Sequence, residues 1–265
     1  MSSIDQLFAE LRAAGRKAFM PFVTAGDPDL EFTADVLREL ADGGASMCEV
    51  GIPYSDPIAD GPVIQASYTR ALEKKVKLAE ILKTLSATKI TPPIVTMVSY
   101  AICYRHGLEK YVAEAKQAGV AGAIVPDLLV EESDNLAAIC QRDDFSLIQL
   151  ITPTTPRERQ KQIAEQTTGF IYYVSVTGIT GERTELPPEL TDNVGWLREQ
   201  TELPICIGFG INSAEHVKLL APVADGLIVG SAIVRRVAEA ADRPRSEVLQ
   251  EVRKYADELV AALPS

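Results

Sequence analysis

The stretch Ile205-Cys-Ile-Gly-Phe-Gly-Ile-Asn-Ser-Ala-Glu-His-Val-Lys-Leu-Leu-Ala-Pro-Val-Ala-Asp-Gly-Leu-Ile-Val-Gly230 decides the fold class. It opens on a short apolar run, 205–209, and crosses a glycine turn. A helical pattern comes next over 214–220, and the stretch closes on a second apolar run, 227–230. Asn212 with Glu215 reads as a capping arrangement at the helix start. Both apolar runs are continuous rather than alternating, as expected of parallel strands buried on both faces. Strand, helix and parallel strand make one βαβ unit.

The same unit recurs toward the N-terminus. Apolar, β-prone runs lie at 18–23, 47–51, 94–99, 121–125, 147–151 and 170–175, so the chain holds eight in all. Helical patterns occupy 30–41, 107–118, 132–141 and 158–167, with Gly43, Gly119 and Gly169 placed as left-handed caps. Eight strand–helix units in 265 residues fit a (β/α)8 TIM barrel, an α/β fold. A doubly wound sheet also alternates, but eight even units favour closure. The first 19 residues add an amphipathic N-terminal helix. No linker divides the chain, so a single domain over 1–265 is expected. The gap between the second and third strands has room for an extra helix. The gap between the sixth and seventh holds a Gly/Thr-rich loop. Loops after the C-terminal ends of barrel strands are where such folds place their chemistry.

Composition narrows the function. Lys plus Arg is 26 against 37 Asp plus Glu, a net charge of −11. There is no basic footprint for nucleic acid or an anionic membrane. An anionic substrate stays open, because backbone N–H groups bind phosphate without Lys or Arg. No apolar run is long enough to span a bilayer, and the N-terminus lacks a signal-peptide layout. Cys48, Cys103, Cys140 and Cys206 form no CxxC pair, which suits buried thiols in a cytoplasmic protein. The two histidines, His106 and His216, are far apart in sequence, which argues against a His metal site or a Ser-His-Asp triad.

Glu49 is a carboxylate inside an apolar strand, costly to bury unpaired. It reads either as a salt-bridged residue or as a general acid/base with a raised pKa. Asp56 and Asp60 come next on a stiff loop, Gly51-Ile-Pro-Tyr-Ser-Asp-Pro-Ile-Ala-Asp-Gly-Pro62. Each also suits a turn or a cap. Three glycine features could cradle a phosphate: Thr177-Gly-Ile-Thr-Gly181, Gly208-Phe-Gly210, and Gly230-Ser231 at a helix start. None contains Lys or Arg. An apolar lining would come from Phe22, Ile64, Met97, Ile124, Tyr172, Phe209 and Ile228, which are equally ordinary core residues.

Four segments, Phe22-Val-Thr-Ala-Gly-Asp-Pro28, Glu49 to Pro62, Val125-Pro-Asp-Leu128 and Gly208-Phe-Gly-Ile211, resemble the tryptophan synthase α subunit family. The resemblance covers nearly the whole chain. It implies a lyase that cleaves indole-3-glycerol phosphate to indole and glyceraldehyde 3-phosphate by retro-aldol chemistry. It makes Glu49 and Asp60 catalytic. It places Phe22, Ile64, Tyr172 and Phe209 around the indole, Gly181, Gly210, Gly230 and Ser231 at the phosphate, and Thr180 on a lid. It implies no cofactor or metal in this chain. The expected partner is a pyridoxal-phosphate β subunit, in an α2β2 heterotetramer. A phosphate-binding isomerase and a non-catalytic activator of the β subunit are the competing readings.

The chain departs from the family pattern at Ser99 and Ala101, where a tyrosine and an asparagine are usual, and at Leu129 and Glu182. Tyr100 or Tyr104 is expected to fill the pocket wall vacated at Ser99. Activation by the β subunit is expected to be weaker than the family norm.

Overall fold

Along β1 (Ala18–Thr24) side chains alternate between two packed environments. Ala18, Met20 and Phe22 point into a central cluster, while Phe19 and Val23 join the layer between strands and helices. This two-sided burial is why the run is apolar throughout. The same alternation holds in β2 (Cys48–Gly51), whose Cys48 and Val50 face the outer layer. Glu49 is thereby turned inward.

The structure, a computed structural model, describes residues 2–57, 60–175, 188–208 and 210–264. The other strands are β3 (Ile94–Met97), β4 (Val120–Ile124), β5 (Ser146–Ile148), β6 (Leu150–Ile151), β7 (Ile171–Val174), β8 (Ile205–Gly208) and β9 (Gly226–Val229). All pair in parallel, in the order β5-β4-β3-β2-β1-β9-β8-β7-β6. The two terminal members of that order, β5 and β6, are halves of one strand interrupted at Gln149. Joining them closes the sheet into an eight-stranded barrel, and every expected apolar run overlaps a strand. At the interruption the Gln149 carbonyl accepts the Tyr172 N–H, and its side chain donates to Ser133 Oγ.

Twelve helices are described: α1 (Ser3–Ala13), α2 (Leu30–Asp42), α3 (Pro62–Glu73), α4 (Leu78–Ala87), α5 (Tyr100–His106), α6 (Leu108–Gln117), α7 (Asp134–Arg142), α8 (Arg157–Gln166), α9 (Pro188–Arg198), α10 (Ala214–Leu220), α11 (Ser231–Ala238) and α12 (Arg245–Val260). Helix α1 is the expected N-terminal addition. Ser2 and Asp5 close it with reciprocal capping bonds, and Ile4, Phe8 and Leu11 bury against the central cluster, Phe8 tilted over Phe170. Helices α3 and α4 fill the long gap between β2 and β3.

Three local readings need correction. Gly43 has an ordinary negative φ and the left-handed residue is Gly44, one step later, because the helix keeps Asp42. Helix α10 is capped by Ser213, whose Oγ accepts the His216 N–H, and not by the Asn212–Glu215 arrangement. The third run ends at Met97, since Ser99 caps α5.

All four cysteines are free and buried, and burial pushes the Cys48 thiol up to about 12. Among the described residues no helix is long and apolar enough to cross a membrane, and no cluster of His, Cys, Asp and Glu could hold a metal.

Candidate active site

The strands deliver their C-terminal residues to one mouth, where a cavity of about 330 Å³ opens. Phe22 of β1, Glu49 of β2, Met97 of β3, Tyr172 of β7 and Ile228 of β9 line it, joined by Asp60 and Ile64 from the segment after β2. Phe22 is paired in register with Glu49, and Gly51 with Met97. The expected lining residue Ile124 is fully buried in the central cluster and does not reach this cavity.

Two strand-end glycines make room for the rings. A Cβ on Gly51 would lie 2.5 Å from Phe22 Cζ and 2.6 Å from the Tyr68 hydroxyl. A Cβ on Gly208 would lie 2.6 Å from the Tyr172 hydroxyl. Any larger residue would drive these rings out of place.

Glu49 is completely buried, and neither carboxylate oxygen has a hydrogen-bond partner. A structural salt bridge would have shown a partner, so that reading of Glu49 is set aside. Burial pushes its carboxyl from the ordinary 4.5 up to about 8, and the nearby Asp60 charge adds to the shift. Glu49 is therefore mostly protonated near neutrality. Asp60 also has a buried, unpartnered oxygen, and burial raises it from 3.8 to about 6. It is mostly ionised at the same pH. Two neighbouring carboxyls held in opposite protonation states on one cavity suit an acid and an anion.

Backbone bonds and the start of α3 fix the position of Asp60. Its carbonyl accepts from Gln65 Nε2 at 2.8 Å, its N–H donates to the Pro57 carbonyl, and Pro62 starts α3 at the position proline favours. Helix α3 is tied to the end of β1 by a Thr24–Ser67 hydroxyl contact of 2.6 Å. A bidentate Arg70–Asp27 pair, with Asp27 buried, adds a second tie. Asp56, the other candidate on this loop, is exposed, bonded to Ser55, and absent from the cavity lining.

Gly210, Gly230 and Ser231 all line the same cavity, with α11 opening toward it at Ser231. Gly210 has φ +80°. Thr180, Gly181, Glu182 and Phe209 lie outside the described residues. Tyr100 and Tyr104 do not fill the wall: neither lines the cavity, and Tyr104 is 71% exposed. Ser99 instead bonds to Asp127 and starts α5. Sequence reading passed over Arg235, which lines the cavity one helical turn after Ser231. Its i,i+4 spacing from Ser231 was the available signal.

The family model described as tryptophan synthase alpha chain matches residues 8–263. A tryptophan synthase alpha chain of Rhodopirellula baltica is 59% identical over 263 residues, covering 97% of this chain and 95% of the relative. One from a Thermoanaerobacter species is 41% identical over 265 residues, covering 99% of this chain and all of the relative. Among solved structures, tryptophan synthase subunit alpha from Legionella pneumophila matches with a TM-score of 0.89 at 33% identity, covering 99% of this chain and 98% of that one. With a buried acid and an ionised aspartate facing one cavity, the chain belongs to the tryptophan synthase alpha chain family, lyases that cleave indole-3-glycerol phosphate in tryptophan biosynthesis.

Proposed function

We propose that Glu49 and Asp60 carry the cleavage, with 1–265 acting as one barrel domain. The observation that carries this reading is the fully buried Glu49 carboxyl, unpartnered and raised to about 8, on a cavity it shares with Asp60. Protonated Glu49 gives its proton to indole C3, which leaves positive charge on the ring nitrogen. The Asp60 carboxylate holds that N–H. Glu49, now a carboxylate, takes the proton from the glycerol hydroxyl beside the scissile bond. The oxygen lone pair forms the aldehyde, the carbon–carbon bond breaks, and its electrons neutralise the ring. Indole and glyceraldehyde 3-phosphate leave, and Glu49 is protonated again.

Phe22, Ile64 and Tyr172 supply the apolar walls for the indole. Gly210, Gly230 and Ser231 offer backbone N–H groups to the phosphate, helped by the positive end of α11. Thr180, Gly181 and Phe209 keep the roles that the resemblance implies.

Members of the family partner with a β subunit. We assign the exposed Tyr104 and Leu129, on segments following β3 and β4, to that contact, in a cytoplasmic α2β2 assembly. The test is indole release from indole-3-glycerol phosphate, with and without the β subunit. Glu49→Gln should lose ~10²–10⁴-fold in kcat. Substantial cleavage by that variant would remove Glu49 from the mechanism. A natural chain that activates the β subunit without releasing indole would identify an activator only.

A further inference from the structure

We propose that Arg235 is the cation that meets the substrate's phosphate, so that side-chain charge joins the backbone N–H groups there. The inference rests on the reading that this cavity takes a phosphorylated substrate.

Ser231 and Arg235 are four residues apart on α11 and therefore share a face, and both line the cavity. The next residue, Arg236, is engaged elsewhere: its guanidinium stacks on Tyr255 and donates to the Ala232 carbonyl. Arg235 is exposed and makes no hydrogen bond or ion pair to another described residue. It is also the only cation among the described lining residues.

The charges are arranged with polarity. Strand β1 stands between β2 and β9, so Phe22 separates the Glu49 side of the cavity from the Gly230 side. The Asp60 carboxylate, with one buried and unpartnered oxygen, lies near the protonated Glu49 and makes one end acidic. A phosphate dianion entering a chain of net charge −11 is repelled by the whole molecule and by that end in particular. A guanidinium at the α11 end offsets this locally. Its planar fork matches two phosphate oxygens, and its charge forces the substrate to enter with the indole toward the carboxyls.

The test titrates glycerol 3-phosphate into the full chain by calorimetry for wild type, Arg235→Gln and Arg235→Lys. Indole-3-glycerol phosphate cleavage is followed in parallel. Arg235→Gln should weaken glycerol 3-phosphate binding ~10-fold, as for loss of a charged hydrogen-bond partner. Arg235→Lys should recover part of that loss. The substrate KM should rise in step while kcat changes less than about twofold, and the salt dependence of kcat/KM should flatten. A Kd for Arg235→Gln within about twofold of wild type, or no binding to wild type, overturns the proposal. Arg235-dependent binding without indole release would uphold it and overturn the lyase roles of Glu49 and Asp60. Normal indole release with an unchanged Kd would overturn the proposal alone.

Discussion

Ser99 Oγ donates a 2.6 Å hydrogen bond to Asp127 Oδ2, which joins the segment after β3 to the segment after β4. The other Asp127 oxygen accepts the Tyr100 N–H at 2.7 Å, and Ser99 Oγ also accepts the Ala101 N–H. One carboxylate and one hydroxyl therefore hold the start of α5. A tyrosine hydroxyl, held at the far end of its ring, could not accept the Ala101 N–H as Ser99 Oγ does. Ser99→Ala removes a cap and a charged hydrogen bond together. The expected cost is ~1–2 kcal/mol, read from a denaturant midpoint. A loss under about 0.5 kcal/mol would mean that Asp127 finds equivalent partners. The natural chain should also show weaker activation by the β subunit than Ser99→Tyr/Ala101→Asn. Equal activation would show that this segment does not carry the signal.

Asp60→Asn should lower the cleavage rate several hundredfold, in line with removal of one electrostatic stabiliser worth ~3–4 kcal/mol. It should also move the pH profile. Wild-type kcat/KM should rise as Asp60 ionises near 6 and fall as Glu49 ionises near 8. Without the Asp60 charge Glu49 ionises more easily, so the alkaline limb of the residual activity should shift to lower pH. An unmoved limb would mean that the two carboxyls do not sense each other. A near-normal rate for Asp60→Asn beside an inactive Asp56→Asn would transfer the role to Asp56.

Glu49→Gln tests the burial of the acid through stability. The folded carboxyl titrates at about 8 against an ordinary 4.5, so the folded state holds its proton more tightly. Stability attached to that proton is complete below pH 4.5 and is lost as pH rises through 8. The variant should match wild type near pH 4 and exceed it by roughly 2–4 kcal/mol near pH 8. Chemical denaturation at the two pH values checks this. Equal stability at both would mean that Glu49 ionises freely in the fold.

Gly230→Ala is the cleanest probe of the phosphate end. Gly230 does not need a positive φ, and an added Cβ would meet Phe22 at an ordinary 3.7 Å. The fold should tolerate the methyl. A substrate backbone contact at this point should not, so KM should rise severalfold with the melting temperature unchanged. Gly210→Val would be less informative, because φ +80° strains any side chain there. An unchanged KM in Gly230→Ala would assign this glycine to the turn alone.

The barrel was legible in the sequence because its strands are buried on both faces. Runs such as those at β1 and β8 must stay apolar throughout, and helices must separate parallel strands. Glu49 stood out for the same reason, as a charge in a run that tolerates none. Its role was not readable from that alone, since a salt-bridged glutamate would look identical. Only the tertiary structure shows both oxygens without partners and Asp60 lining the same cavity nearby. That Asp60 lines the cavity and Asp56 does not is likewise visible only in three dimensions, where two bonds tie α3 to the end of β1. Ser99 marked a departure in the sequence, but its bond to Asp127 spans 28 positions. Arg235 carried no motif at all. Local patterns record which face of an element is buried, whereas cavity lining depends on which distant elements close the barrel around it.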